Sequence, residues 1–232
     1  MNRRTLLTTV VLGATGSLLH SELQAQAPAE GGWTIKPLPF DPNRLNGLSE
    51  RLIVSHHDNN YAGAARRIGQ IQQMLAGLPN NAPGFQIKGL KMEELIATNS
   101  AILHEEYFGN LGGDGKASGT VQHAIASDFG GFDKWEQDFR ATSAALGGGS
   151  GWAILNFNLR DGKLHNYIAF DHTDNLAFGR PILVNDMFEH AYHIDFGANA
   201  AMYIDAFMQN INWDESSRRL EEAKTLFALL RN

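Results

Sequence analysis

Apolar and small residues recur along the first half of the chain at Ile53, His57, Tyr61, Ala64, Ile68, Ile71 and Leu75, which is the spacing of one face of a helix. This pattern predicts a helix from Leu48 to about Leu75. It stops at the turn cluster Gly77-Leu78-Pro79-Asn80-Asn81-Ala82-Pro83-Gly84. A second helix is predicted from about Lys91 to Phe108, ending before Gly109-Asn110-Leu111-Gly112-Gly113-Asp114-Gly115. Two helices joined by a break of this size form an antiparallel hairpin.

Beyond it the pattern changes. Thr120 to Phe129 and Phe132 to Leu146 read as two further helices, and Gly147-Gly148-Gly149-Ser150-Gly151 is a flexible break. That glycine run lacks the Lys-Ser/Thr ending of a P-loop and reads as a backbone turn. Trp152 to Phe157 and Leu164 to Phe170 flank a turn containing Asp161-Gly162, the signature of a β-hairpin. Pro181 to Val184 adds a third strand, and helices from about Glu189 to Met208 and Asp214 to Leu230 close the chain. The expected fold class is α+β: a helical hairpin domain over 28–117, then an α/β domain over 118–232.

The first residues read as a targeting segment. Arg3-Arg4 precedes an apolar run from Leu6 to Leu19, and Ala25 and Ala27 offer small residues for cleavage, as in a twin-arginine export signal. The run is shorter than the ~20 residues that span a membrane. Removing residues 1–27 takes away Arg3, Arg4 and Glu22, so the charge of −6 becomes −6 − (2 − 1) = −7. The expected mature protein is periplasmic or secreted, with no membrane attachment.

Composition narrows the chemistry. Among 232 residues there are 19 Lys+Arg, 25 Asp+Glu and no cysteine. An acidic chain with no dense cationic run argues against a nucleic-acid partner. The absence of cysteine excludes disulfides, zinc ribbons, iron–sulfur clusters and thiol nucleophiles. A metal would be held by His, Asp, Glu or backbone.

Of nine histidines, all but His20 lie beyond the targeting segment. Adjacent His56 and His57 fall in the first predicted helix and point about 100° apart, so only one can join a given metal. His104 falls in the second helix. His190 follows Asp186 by four residues, about one helical turn, although that spacing also fits an ordinary surface pair. Three imidazoles and one carboxylate from separate elements suit Fe, Mn or Zn and leave an open position for chemistry.

Here the residues carry a resemblance. Asp186-Met187-Phe188-Glu189-His190-Ala191-Tyr192 resembles the D-x-W-E-H-A-Y signature of the iron/manganese superoxide dismutase family. Leu48-Ser49-Glu50 before His56-His57, Gly149-Ser150-Gly151-Trp152 and Asn212-Trp213-Asp214 match in the same order, so the likeness runs from about Trp33 to Phe227. It implies His56, His104, Asp186 and His190 as metal ligands and a helical hairpin followed by an α/β domain with a three-stranded antiparallel sheet. It implies superoxide as substrate, one Fe or Mn ion per subunit, and a homodimer in which Glu189 bonds the opposite subunit's ligand histidine. Phe170-Asp171-His172-Thr173-Asp174-Asn175-Leu176 resembles the branch in which His, here His172, sets the proton affinity of the solvent in the site. Trp152 and Tyr107 match the aromatic shell around the metal.

The departures are specific. The resemblance aligns Asn60 with the family's gateway His, Tyr61 with the following His, and Ala64 with the gateway Tyr, so the substrate funnel is altered. Tyr61 then becomes the candidate for proton delivery. Phe188 stands for Trp, and His193 for a Tyr that meets the partner's gateway His, which suggests that His193 bonds Asn60 or Tyr61 across a dimer. Val184 stands where Gly accompanies manganese and bulkier residues accompany iron, which favours iron. The alternative is an exported metal-binding homologue that keeps the ligands with weak or lost dismutation. A zinc hydrolase lacks an H-E-x-x-H helix and an obvious general base.

Overall fold

A computed structural model describes residues 33–174 and 176–231. The export segment lies outside the described residues. No helix among them is long and apolar enough to cross a membrane.

The first helical run is three pieces: α1 (Glu50–Ser55), a π-helical stretch (His56–Tyr61) and α2 (Ala62–Ala76). Ser49 starts it, its Oγ accepting the Leu52 N–H at 3.1 Å, while its own N–H and hydroxyl donate to Asp195, both at 2.7 Å. The π stretch corrects the uniform helical face read from the sequence. An i→i+5 turn inserts one residue into the repeat, so His56 and Tyr61 turn inward while His57 remains at the edge.

Helix α3 spans Gly84–Gly109 and packs along α2 as the other arm of the hairpin. It begins seven residues before the expected Lys91, because Pro83 sits just outside the first turn, where its missing N–H costs nothing. Gly113 N–H bonds the Asn210 carbonyl at 3.1 Å; a Cβ at Gly113 would lie 2.2 Å from the Ile211 carbonyl oxygen, so only glycine permits this approach.

Helices α4 (Gly119–Phe129) and α5 (Phe132–Ala144) lead into strands β1 (Trp152–Asn158), β2 (Lys163–Ala169) and β3 (Gly179–Asp186). The sheet is antiparallel in the order β2-β1-β3. Central β1 is an almost unbroken apolar run because both its faces are covered. Its first residue, Trp152, lies opposite Ala169 on one side and Asp186 on the other. The sheet therefore delivers Trp152, Asp186 and the loop after β2 to one end.

The single helix expected over Glu189–Met208 is instead a 3-10 turn (Glu189–Ala191), α6 (His193–Phe196) and α7 (Ala200–Gln209). Gly197, at φ 54°, breaks it, and Asn199 restarts it by accepting the Met202 N–H at 3.2 Å. Helix α8 (Trp213–Leu230) closes the chain. Asn110, fully buried at the end of α3, accepts the Val184 N–H through Oδ1 at 2.8 Å, and its carbonyl accepts the Asn212 N–H at 2.7 Å. One side chain and its backbone thus join the hairpin to β3 and to the start of α8.

Candidate metal centre

Asp186 ends β3 as a fully buried carboxylate. Its Oδ1 accepts the Phe188 N–H at 2.8 Å, which fixes the carboxylate plane and directs Oδ2 the other way. Around Oδ2 lie His56 Nε2 at 3.0 Å, His190 Nε2 at 3.3 Å and His104 Nε2 at 3.6 Å. The ligand atoms of these four residues all fall within 4.8 Å of one another. Asp186 and His190 meet through a strand end and a 3-10 turn, and not through one turn of a helix as the spacing had suggested.

The histidines come from separate elements: His56 from the π stretch, His104 from α3, His190 from the 3-10 turn. His104 Nδ1 lies 2.7 Å from the Ser100 carbonyl, which can only accept, so the proton sits on Nδ1 and the Nε2 lone pair faces the cluster. His104 Nε2 and His190 Nε2 are buried without a hydrogen-bond partner among the described residues. Buried polar atoms without partners are rare, and two aimed at one carboxylate oxygen fit a cation between them. The donor set, three nitrogens and one carboxylate oxygen, fits iron or manganese and leaves room for a further ligand.

Burial also sets the charge state. It lowers His56 and pushes His104 down to about 3, so both stay neutral and able to ligate. Burial alone would raise Asp186. The neighbouring His190 and the hydrogen bond with His56 outweigh it and hold the carboxyl well below its usual range. An anion beside two neutral imidazoles suits a multivalent cation.

An aromatic wall encloses the cluster. Trp152 lies edge-on to His104, Tyr107 against His56, and Phe188 stacks between the rings of His172 and His190 at 4.7 and 5.4 Å. Such a shell limits water access and fixes ligand orientation. The loop after β2 brings in His172, held by Asn99 Nδ2, which donates to the His172 carbonyl at 2.7 Å. Trp152 Nε1–H donates to His172 Nδ1 at 3.1 Å. Because an indole can only donate, the His172 proton sits on Nε2. Burial lowers the His172 pKa, which keeps the ring neutral.

A cavity of about 240 Å³ opens beside the cluster, lined among others by Asn60, Ser100, His104, His172 and His190. Asn60 thus stands in the channel wall. Tyr61 does not: its hydroxyl donates to Glu105 Oε1 at 2.9 Å and accepts the Lys36 N–H at 2.9 Å, facing a different cavity of about 360 Å³. Burial raises its pKa to about 12, so the phenol stays protonated. Nor can Tyr61, 1% exposed, meet His193 of another subunit. His57 bonds Asp58 and the Lys36 carbonyl, each at 2.8 Å, outside the cluster. Glu189 and His193 are exposed. The residue that sequence reasoning passed over is Arg67, on the channel wall seven residues beyond Asn60; the spacing Asn60, Gly63, Ala64, Arg67 is one helical face.

These features together fit a protein whose buried cluster could hold a single transition-metal ion beside an open channel. Residues 117–219 match the family model described as iron/manganese superoxide dismutases, C-terminal domain. An iron superoxide dismutase of Cupriavidus metallidurans is 52% identical over 192 residues, covering 82% of this chain and 98% of that protein. An iron superoxide dismutase of Aquifex aeolicus is 34% identical over 200 residues, 82% of this chain and 92% of that one. A manganese superoxide dismutase of Halobacterium salinarum is 30% identical over 200 residues, 84% of this chain and 98% of that one. The chain belongs to the iron/manganese superoxide dismutase family.

Proposed function

We propose that the protein is a superoxide dismutase, converting two superoxide ions and two protons into dioxygen and hydrogen peroxide. The observation that carries this is the convergence of His56, His104 and His190 Nε2 on one buried carboxylate oxygen of Asp186, beside a channel lined by His172. A bound iron or manganese ion supplies the one-electron oxidation and reduction. The chain supplies the rest. Asp186 provides the single negative charge of the site, and the His56 and His104 imidazoles, kept neutral by burial, keep their lone pairs for ligation. His172, with Nδ1 occupied by Trp152, offers only Nε2–H, a fixed donor on the channel wall. Its role is to orient and stabilise solvent in the site, which tunes proton uptake to electron arrival.

Iron is the metal we assign, supported by Val184 at the position described above and by the iron-named relatives from Cupriavidus and Aquifex. The weak-activity alternative rests on the altered funnel, with Asn60 and Ala64 on its wall; the open channel argues instead that a small diatomic ion can enter. We assign a homodimer, with exposed Glu189 and His193 toward the partner and Asn60 the acceptor left for His193. Export through Arg3-Arg4 is assigned from the sequence; mass spectrometry of the periplasmic fraction should find a chain beginning after Ala25 or Ala27, and an Arg3→Lys, Arg4→Lys variant should hold the full-length chain in the cytoplasm.

Stopped-flow decay of superoxide tests the activity. Iron- or manganese-loaded protein should accelerate decay, and zinc-loaded protein, redox-silent with the same ligands, should not. Equal decay with zinc, or none with either redox metal at full occupancy, would overturn the assignment.

A further inference from the structure

The channel to the metal cluster is lined by one charged side chain among the described residues, Arg67. It lies on α2 with Gly63 and Ala64, one helical face above Asn60, and all four line the channel. The face is bare by choice of residue, not by crowding: a Cβ built at Gly63 meets nothing within 4 Å. Small side chains at 63 and 64 leave an unobstructed track from Arg67 down to Asn60. No carboxylate among the described residues lines that track.

The whole chain carries a formal charge of −6, so an approaching anion meets net repulsion. A guanidinium at the channel wall reverses the sign locally, and it stays charged at every working pH. Its one ionic neighbour among the described residues, Glu93, lies 3.6 Å away; both side chains are more than half exposed, at 57% and 51%. Pairs of that kind contribute little and reorganise freely. Glu93 thus tempers the Arg67 charge without consuming it.

We infer that Arg67 is the anion-guiding residue of this channel: it draws superoxide, and small monoanions such as azide, onto the Asn60–Gly63–Ala64 track toward the metal. It acts by position and charge, so it is a positioning residue. The inference rests on the dismutase reading for its substrate, but its charge argument holds for any small monoanion.

The test is optical titration of the iron-loaded protein with azide across ionic strength, alongside superoxide decay resolved into kcat and kcat/KM. Arg67→Gln should weaken azide binding and lower kcat/KM about three- to tenfold at low salt, with kcat, metal content and Tm unchanged. The loss should shrink as salt screens the field. Arg67→Lys should restore most of it. Glu93→Gln, which frees the guanidinium, should shift both quantities the opposite way. Arg66→Gln makes the same change of net charge on an exposed residue that does not line the channel, and should have little effect. Equal effects of Arg66→Gln and Arg67→Gln, or an Arg67→Gln protein with unaltered azide affinity and salt dependence, would overturn the inference. If wild-type protein binds azide with this pattern yet consumes no superoxide, guidance stands and the dismutase reading fails.

Discussion

Replacing Asp186 by Asn removes the only anionic donor from the cluster while leaving its shape. The Asn Oδ1 can still accept the Phe188 N–H that Asp186 accepts at 2.8 Å, and the amide nitrogen takes the place of Oδ2 among three imidazole nitrogens at 3.0–3.6 Å. The metal-free variant loses the attraction that holds the Asp186 carboxyl low, so its own metal-free Tm is the baseline from which the effect of metal is read. A ligand present at a thousandfold above its Kd stabilises the folded state by about 4.1 kcal/mol. For a chain of this size each kcal/mol moves Tm by roughly 2–4 °C, so saturating metal should raise the wild-type Tm by about 8–16 °C. Losing an outer-sphere partner costs about 10–100-fold in affinity, and a charged ligand should cost at least the upper figure. At the same metal concentration the excess over Kd falls to about tenfold or less, worth about 1.4 kcal/mol, and the rise in Tm drops to about 3–6 °C or below. Calorimetry with and without manganese, paired with metal analysis of the dialysed protein, reads both. A full rise in Asp186→Asn, or no rise in wild type, would refute the assignment of this cluster as the metal site.

The same geometry makes further predictions. Tyr61→Phe should leave turnover unchanged and cost about 0.5–1.5 kcal/mol in urea unfolding, because the lost hydroxyl bonds Glu105 and the Lys36 N–H and lies off the channel; a large fall in kcat would return Tyr61 to the proton path. Asn110→Ala strands the buried Val184 N–H and should lower stability by about 1–3 kcal/mol in urea, and a neutral outcome would contradict the joint between hairpin and sheet. In metal-free protein the depressed pKa of His104, about 3 against 6.5 unfolded, makes the unfolded chain bind more protons below pH 6.5. Stability should be full above about pH 6.5 and fall as pH drops toward 3, by about 2 kcal/mol at pH 5 from His104; urea midpoints in chelator that stay flat between pH 8 and 5 would contradict it.

Much of this arrangement was legible before the fold. The alternation on either side of Asp161-Gly162 identified the hairpin of β1 and β2, and the residues around Asp186 and His190 carried the family resemblance. What escaped was local geometry without a compositional mark. A π turn between His56 and Tyr61 has no signature of its own, so the periodic pattern placed His57 on the buried face where the structure turns His56 inward. Asp186 and His190 looked like one helical turn because Met187, Phe188 and Glu189 can all be helical; sheet pairing of Asp186 with Trp152 decided otherwise. Gly197 is an ordinary residue in sequence, yet its left-handed backbone breaks the run after α6. Tyr61 could be aligned with a channel residue, but only the fold shows its hydroxyl turned to Glu105. Arg67 shared a helical face with Asn60, and nothing in the spacing alone distinguished it from any surface arginine.

If His56, His104, Asp186 and His190 hold a redox metal that dismutates superoxide, product stoichiometry from a known pulse of superoxide will show it, with iron-loaded wild type and the His190→Ala variant side by side. Wild type should release one dioxygen and one hydrogen peroxide for every two superoxide ions consumed, and the variant should lose both metal and catalysis. A variant that keeps its metal and its rate, or a wild type that consumes superoxide without releasing dioxygen, would contradict it.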